Sequence, residues 1–201
     1  MASPLQIGVL ALQGDVREHV AALEAASRKA GIPAVVSEVR TKEEAAGLDG
    51  LVIPGGESTV LEKLCAREGL IGAMKRIPAL FGTCAGAILM ARIIAGKAEG
   101  QGSLGRIDIA VVRNAYGRQN ESFEADINTD FGPMRGVFIR APRMSRVGKN
   151  VHVLARRGAE PIACEEVRKG RYALATCFHP ELTTTKFHEH FLRGAQAARA
   201  A

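Results

Sequence analysis

The sequence contains no tryptophan and only two tyrosines, and aromatic residues make up 4% of its 201 positions. Stacking platforms for single-stranded nucleic acid are therefore nearly absent. The 27 Lys and Arg outnumber the 21 Asp and Glu, which leaves a net charge of +6. Those cations are scattered, however, and no DNA- or RNA-binding motif accompanies them, so no nucleic-acid partner is expected. The basic stretch "MSRVGK" (144–149), together with Arg156 and Arg157, reads as a solvated face or as an electrostatic docking surface for an acidic partner. No apolar run approaches the roughly 18 residues of a membrane-spanning helix, and no membrane partner is expected. The opening "MASPLQIGVLALQGD" has no basic stretch ahead of its apolar part and no cleavage site, so it reads as a first strand rather than a secretory signal. Cysteine is scarce as well. Cys65, Cys84, Cys164 and Cys177 show no C-x-x-C spacing, which argues against a metal site or a disulfide framework and fits a cytoplasmic location. Internal repeats, low-complexity tracts and linkers are lacking too, so residues 1–201 read as one domain.

What is present is a globular composition, 47% hydrophobic and 24% charged. Strand and helix alternate through the first half. "QIGVLALQ" is an apolar strand, followed by a helix over "DVREHVAALEAASRKAG" that stops at Gly31. Next come a strand at "AVVSEVR", a short helix at "TKEEAAG" and a strand at "GLVIP". A helix from Thr59 to Arg67, a strand at "ALFG" and a helix over "AGAILMARIIAG" follow. Such βαβ units imply a parallel sheet with helices on both faces. The second half is richer in strands, at "RIDIAVVRN", "SFEADI", "GVFIRAP", "VHVLARR", "PIACEEV" and "YALATCF", and closes with a helix near "TTKFHEHFLRGAQAARA". The expected fold is a three-layer α/β domain with a mostly parallel central sheet and an antiparallel or mixed extension. Ligands bind such sheets at the carboxyl ends of the strands, and "PGGES" and "GTCAG" both fall there.

"GTCAG" (82–86) sets Cys84 between two glycines where a strand gives way to a helix. A tight strand–turn–helix elbow holds a nucleophile up into solvent, and the adjacent helix N-terminus favours thiolate over thiol. The N–H of Ala85 is then available to a tetrahedral oxyanion. A small buried thiol at a close strand–helix contact fits the same pentapeptide. "CFHPELT" (177–183) offers His179 as a base and Glu181 as the carboxylate that orients it, since residues two apart in an extended segment share a side. An H-x-E on a loop also arises by chance. "VIPGGESTV" (52–60) exposes backbone N–H groups ahead of a helix. It lacks the lysine of a phosphate loop, and Glu57 repels phosphate, so a polar pocket for an amino acid suits it better.

Taken together, G-x-C-x-G, H-P-E and P-G-G-E-S resemble the triad-type (class I) glutamine amidotransferases. The segments "GVLALQGDVREH", "PGGEST", "GTCAGAI", "RNAYGRQNESFEADI", "VFIRAP" and "FHPELT" are similar to the glutaminase subunits of pyridoxal 5′-phosphate synthase. That resemblance covers nearly the whole chain. It implies hydrolysis of L-glutamine through a Cys84 thioester, with His179 as base and then acid and Glu181 orienting it. It places Gly56, Glu57 and Ser58 in the glutamine site, with Gly56 and Ala85 as backbone donors to the oxyanion. It also places Arg113, Ile139 and Arg140 at the substrate. An arginine suits an α-carboxylate through a two-pronged charge-assisted bond, although Arg113 alone can also be read as a surface cation. The implied partner is a (β/α)₈-barrel synthase subunit that receives the ammonia for vitamin B6 synthesis, with Gln13 as a candidate for sensing the interface. No cofactor is implied, because pyridoxal 5′-phosphate is the product of the complex. Ala87 and the tail "TTTKFHEHF" depart mildly from the pattern.

Two other readings remain open from the residues: a cysteine hydrolase or peptidase on a related fold, and a catalytically silent interaction subunit. His188 and His190 diverge by roughly 200° on a helix and cannot share a metal. His19 and His152 have no partner in view. Cys177 reads as a buried structural thiol, and Cys65 and Cys164 carry no role.

Overall fold

The computed structural model describes residues 3–113 and 122–201. Its first half alternates as the apolar periodicity requires. β1 (Leu5–Leu10), α1 (Val16–Ala30), β2 (Ala34–Val39), β3 (Gly50–Ile53), α2 (Ser58–Arg67), α3 (Leu70–Met74), β4 (Ala79–Thr83) and α4 (Ala85–Met90) follow in chain order. The second half supplies β5 (Ala91–Ala95), β6 (Ile107–Val112), β7 (Ser122–Thr129), β8 (Met134–Ile139), β9 (Arg143–Val147), β10 (His152–Arg157), β11 (Glu160–Arg168), β12 (Arg171–Thr176) and α5 (Lys186–Ala200).

Nine strands form one sheet in the order β2-β1-β3-β4-β12-β11-β10-β7-β8. Pairing is parallel from β2 through to β12 and antiparallel beyond it. β5, β6 and β9 make a smaller mixed sheet. The parallel half with an antiparallel extension is the arrangement the sequence implies, although parallel and antiparallel pairings are equal in number, so the sheet is mixed rather than mostly parallel.

Neighbouring residues of β4 show how the layers are set. Phe81 points into α5, with its ring 5.4 Å from that of His188 and 5.7 Å from that of Phe191. A Cβ on Gly82 would instead meet Gly86 of α4. Successive strand residues face opposite ways, so α5 and α4 lie on opposite sides of the sheet. β3 and β4 are buried throughout, as continuous apolar runs between two helix layers must be. Phe81, Phe187 and Phe191 are fully buried, each contributing at most about 1.5–3 kcal/mol of hydrophobic stabilisation.

Local patterning misleads at three places. Residues 85–96 read as one helix, but α4 ends at Met90 and β5 begins at Ala91, because Ile93 and Ile94 pair with Ala110 and Val111 of β6. "TKEEAAG" holds a reciprocal cap, in which the Glu44 carboxylate accepts from Arg40 and Thr41 N–H while Glu44 N–H donates to Thr41 Oγ1. Gly47 follows at φ 77°, and the segment stays a turn. The basic stretch 144–149 contributes to β9, with Arg146 paired to Asp108 at 2.5 Å, rather than forming a wholly solvated face.

Candidate active site

Ile53 pairs with Gly82, and Thr83 with Thr176, so β3, β4 and β12 end level with one another. The turns that leave them therefore emerge side by side, at the carboxyl edge where α/β sheets bind ligands.

Cys84 follows β4 directly and caps α4 at φ 49°, ψ −104°. Side chains rarely occupy that region, and such strain persists only where the surroundings over-determine it. The glycines enforce it. An ideal Cβ on Gly86 would sit 2.0 Å from the Ile53 carbonyl oxygen, and one on Gly82 would sit 2.5 Å from the Gly86 carbonyl carbon. Backbone cannot give way, so neither position admits a side chain. The sulfur is not held out in solvent, contrary to the expectation for an elbow. Cys84 is 4% exposed, and Sγ lies 3.6 Å from the Ile139 carbonyl oxygen, toward which it donates. The cover comes from the end of β8, which is tied to this site because His179 N–H donates to the Val137 carbonyl.

His179 stands beyond β12, and its Nδ1 donates to Glu181 Oε1 at 2.7 Å. Glu181 reaches it through a 3-10 turn over Pro180–Leu182, not through extended alternation as the spacing suggests. Asp15 Oδ2 lies 3.2 Å from the same Nδ1. These three residues bring donor atoms within 4.8 Å of one another, a closeness that the hydrogen bond and charge pairing account for without an ion. Nε2 is buried and has no hydrogen-bond partner among the described residues. A Cβ on Gly55 would fall 2.5 Å from His179 Cε1 and 3.4 Å from Cys84 Cβ, so this glycine leaves open the space in which imidazole and thiol face each other. Burial disfavours the charged imidazole, but the Glu181 hydrogen bond and charge, together with the neighbouring Cys84 sulfur, outweigh it and hold the His179 pKa above its usual range. Burial likewise pushes the Glu181 carboxyl up, while His179 and His19 together hold it well below the carboxylate range.

His19 does have partners. Its Nδ1 lies 2.9 Å from His188 Nε2, and its Nε2 lies 3.2 Å from Thr83 Oγ1 and 3.4 Å from Glu181 Oε1. His152 pairs with Asp130 at 2.7 Å. The other thiols are unreactive: burial pushes Cys65 and Cys164 up to about 12 and Cys177 well above its ordinary value.

On the other side of Cys84, Glu57 caps α2, accepting from Thr59 N–H at 3.1 Å and Val60 N–H at 2.7 Å. Burial raises its pKa, but these bonds and the Arg113 charge leave it below the ordinary value. Arg113 donates to Glu57 Oε1 at 2.9 Å and to Gln101 Oε1 at 2.7 Å, and Gln101 Nε2 donates to Ser58 Oγ at 3.3 Å. Arg113 is thus a partner of the pocket and not a stray surface cation. Gln101 carries no sequence signal, being a single glutamine in a loop, and only tertiary packing assigns it here. Gln13 donates to the Glu57 carbonyl at 2.9 Å and lies against Gly56, whose φ is 129°. Ala85 opens α4, so its N–H belongs to the first turn, which has no intrahelical acceptor. Gly56, Glu57, Ser58, Cys84, Arg113 and Arg140 line a narrow cleft of about 40 Å³. Ile139 borders it through its carbonyl, and Arg140 adopts φ 45°. Of "RNAYGRQNESFEADI", residues 114–121 lie outside the described residues. A larger cavity of about 490 Å³ lies beside Arg171 and Tyr172, at the opposite end of β12, and contains none of these groups.

A nucleophile, a base with one bare nitrogen, an orienting carboxylate and a polar cleft are the requirements of acyl transfer through a covalent intermediate. Known proteins resemble this chain over most of its length. The model of the SNO glutamine amidotransferase family matches residues 9–197. The chain is 51% identical over 193 residues to "Pyridoxal 5'-phosphate synthase subunit PdxT" of Thermus thermophilus, covering 92% of this chain and 95% of that protein. The same-named protein of Streptomyces avermitilis is 51% identical over 185 residues, 88% of this chain and 87% of its own. A solved structure described as "Crystal structure of glutamine amidotransferase" superposes with a TM-score of 0.80 at 47% identity, covering 94% of this chain and 98% of that one.

Proposed function

This chain belongs to the SNO glutamine amidotransferase family, and on that premise we propose how its residues hydrolyse L-glutamine to supply ammonia for vitamin B6 synthesis. The thiol proton passes from Cys84 Sγ to His179 Nε2, giving a thiolate–imidazolium pair that the raised His179 pKa favours, and the thiolate attacks the side-chain amide carbon. The oxyanion that forms is met by the N–H groups of Gly56 and Ala85. The C–N bond then breaks, the proton passes from His179 to the departing nitrogen, and ammonia leaves a thioester on Cys84. Water attacks that thioester, giving its proton to His179, and glutamate departs as the thiol is restored. Glu181 holds the imidazole with Nδ1–H turned away from the sulfur, so Nε2 remains the working nitrogen. Glu57, Ser58, Arg113, Ile139 and Arg140 hold the amino-acid end. Arg113 exchanges part of its bonding with Glu57 and Gln101 for the α-carboxylate.

The observation that carries this reading is the bare, buried His179 Nε2 facing a strained Cys84 across the gap left by Gly55. Neither a peptidase nor a silent subunit accounts as well for a closed polar cleft beside it. The partner is a synthase barrel subunit that docks near Gln13 and opens the cleft. The chain acts as a single cytoplasmic domain, with no cofactor of its own. Among the described residues no helix is long and apolar enough to cross a membrane.

Glutamate release from L-glutamine by the purified chain, alone and with a pyridoxal 5′-phosphate synthase barrel subunit, tests the proposal. Release that rises with the partner and vanishes in Cys84→Ala is expected. A Cys84→Ala protein that still releases glutamate would overturn the mechanism.

A further inference from the structure

Beyond the three residues of the triad, the geometry points to His19 as the positioning residue that holds the Glu181 carboxylate through its Nε2–H, with His188 fixing the tautomer that makes this possible. The inference rests on the catalytic reading above, but its evidence is separate. His19 comes from α1 and His188 from α5, and both are fully buried against β4. Their hydrogen bonds leave little freedom of direction. Glu181 is acceptor-only when ionised, and His179 Nδ1–H already occupies one side of Oε1. His19 Nε2 lies 3.4 Å from that oxygen and 3.2 Å from Thr83 Oγ1, where one N–H can be shared between two acceptors.

Were Nε2 bare, its lone pair would face a buried carboxylate. Nδ1 would then carry the proton toward His188 Nε2, and His188 would need its own proton on Nδ1. That atom is buried and has no partner among the described residues, so a donor there would be orphaned. The opposite assignment avoids both costs. His188 Nε2–H donates to His19 Nδ1, His19 Nε2–H donates toward Glu181, and only an acceptor is left unpaired on His188. Burial above all lowers the His188 pKa to about 3, so it serves as a neutral donor. The titratable groups facing His19 are Glu181 from the 3-10 turn and His188 from α5; His179 and Asp15 adjoin Glu181 beyond them.

The chain of contacts thus runs from His188 by a hydrogen bond to His19, by a 3.4 Å charge contact to Glu181 and by a hydrogen bond to His179, ending at the nitrogen that faces Cys84. Thr83, the residue before the nucleophile, is held by the same His19 nitrogen. Holding the carboxylate from a second direction fixes the plane in which it meets His179.

The test pairs two substitutions with a spectroscopic reading. His19→Gln keeps an N–H close to the Nε2 position, whereas His19→Leu keeps the bulk and removes the donor. With the synthase subunit present, His19→Leu is expected to lower kcat about 10- to 100-fold, the range seen when a group that orients a catalytic ligand is lost, with KM little changed. His19→Gln is expected to recover most of that loss. Equal activity of His19→Leu and wild type, or equal loss in both variants, would overturn the inference. Because His19→Leu also removes the α1–α5 hydrogen bond to His188, ¹⁵N NMR of the wild-type imidazoles supplies an independent reading: His19 Nε2 protonated supports the inference, and Nε2 bare overturns it. That reading stands even if the wild type releases no glutamate, an outcome that would count against the proposed function alone.

Discussion

At the scale of single residues, the buried histidines make stability depend on pH in a stated direction. His188 has a folded pKa lowered to about 3, against an ordinary value near 6.5. Between those values the unfolded chain binds the extra proton, so stability is lost as pH falls from about 6.5, at no more than about 1.4 kcal/mol per pH unit. Glu181 has a depressed folded pKa, so its contribution is present above the ordinary carboxylate value of about 4.3 and fades as pH drops below it. The raised pKa of His179 acts on the alkaline side: its contribution is present below about 6.5 and is lost as pH rises through the folded value. Urea unfolding between pH 6.5 and 5 isolates His188. His188→Gln, which keeps a donor toward His19, is expected to flatten the decline, and a slope equal to that of wild type would refute this account. Cys84, His179 and Glu181 were legible as candidates one by one because each sits in a short motif. The roles of His19, Asp15 and Gln101 were not, because nothing near them in the chain marks what they touch.

At the scale of elements, the elbow between β4 and α4 is set by backbone sterics, within the turn at Gly82 and against β3 at Gly86. Gly82 and Gly86 are glycine because a backbone atom occupies the place of each Cβ, and Cys84 is forced into a conformation that suits glycine better. That strain is stored for the sake of the thiol. Cys84→Gly and Cys84→Ala are both expected to be inactive. The glycine variant should unfold at higher urea, by about 1 kcal/mol, as relief of 1–3 kcal/mol of strain exceeds the 0.5–1 kcal/mol entropic penalty of glycine. A glycine variant no more stable than the alanine one would show that the turn is unstrained. The helix read over 85–96 fails at the same scale. "AILMARIIA" carries an apolar pattern that suits helix and strand alike, and pairing of Ile93 and Ile94 with β6 decides for strand beyond Met90.

At the scale of the whole molecule, the active thiol lies closed over. Cys84 is 4% exposed, the Ile139 carbonyl lies over its sulfur, and Arg113 ties Glu57 to Gln101 across the cleft. Cys65, Cys164 and Cys177 are buried as well. Iodoacetamide is therefore expected to label the isolated chain slowly at every cysteine. Adding the synthase barrel subunit should accelerate labelling at Cys84 alone, as followed by mass spectrometry of the tryptic peptides. An unchanged rate at Cys84 would show that docking does not open the cleft.

The sequence alone determined the alternating α/β order and singled out Cys84, His179 and Glu181 as the candidate nucleophile, base and orienting carboxylate, each from a short motif. These follow from short-range sterics and spacing within a few residues. Only the tertiary structure decided that the sulfur is covered, that Arg113 is already engaged, and that α1 and α5 bring His19 and His188, 169 positions apart, to within 2.9 Å behind Glu181. Those contacts are made by side chains from separate elements, and their distance depends on how whole helices pack against the sheet, which no local pattern encodes.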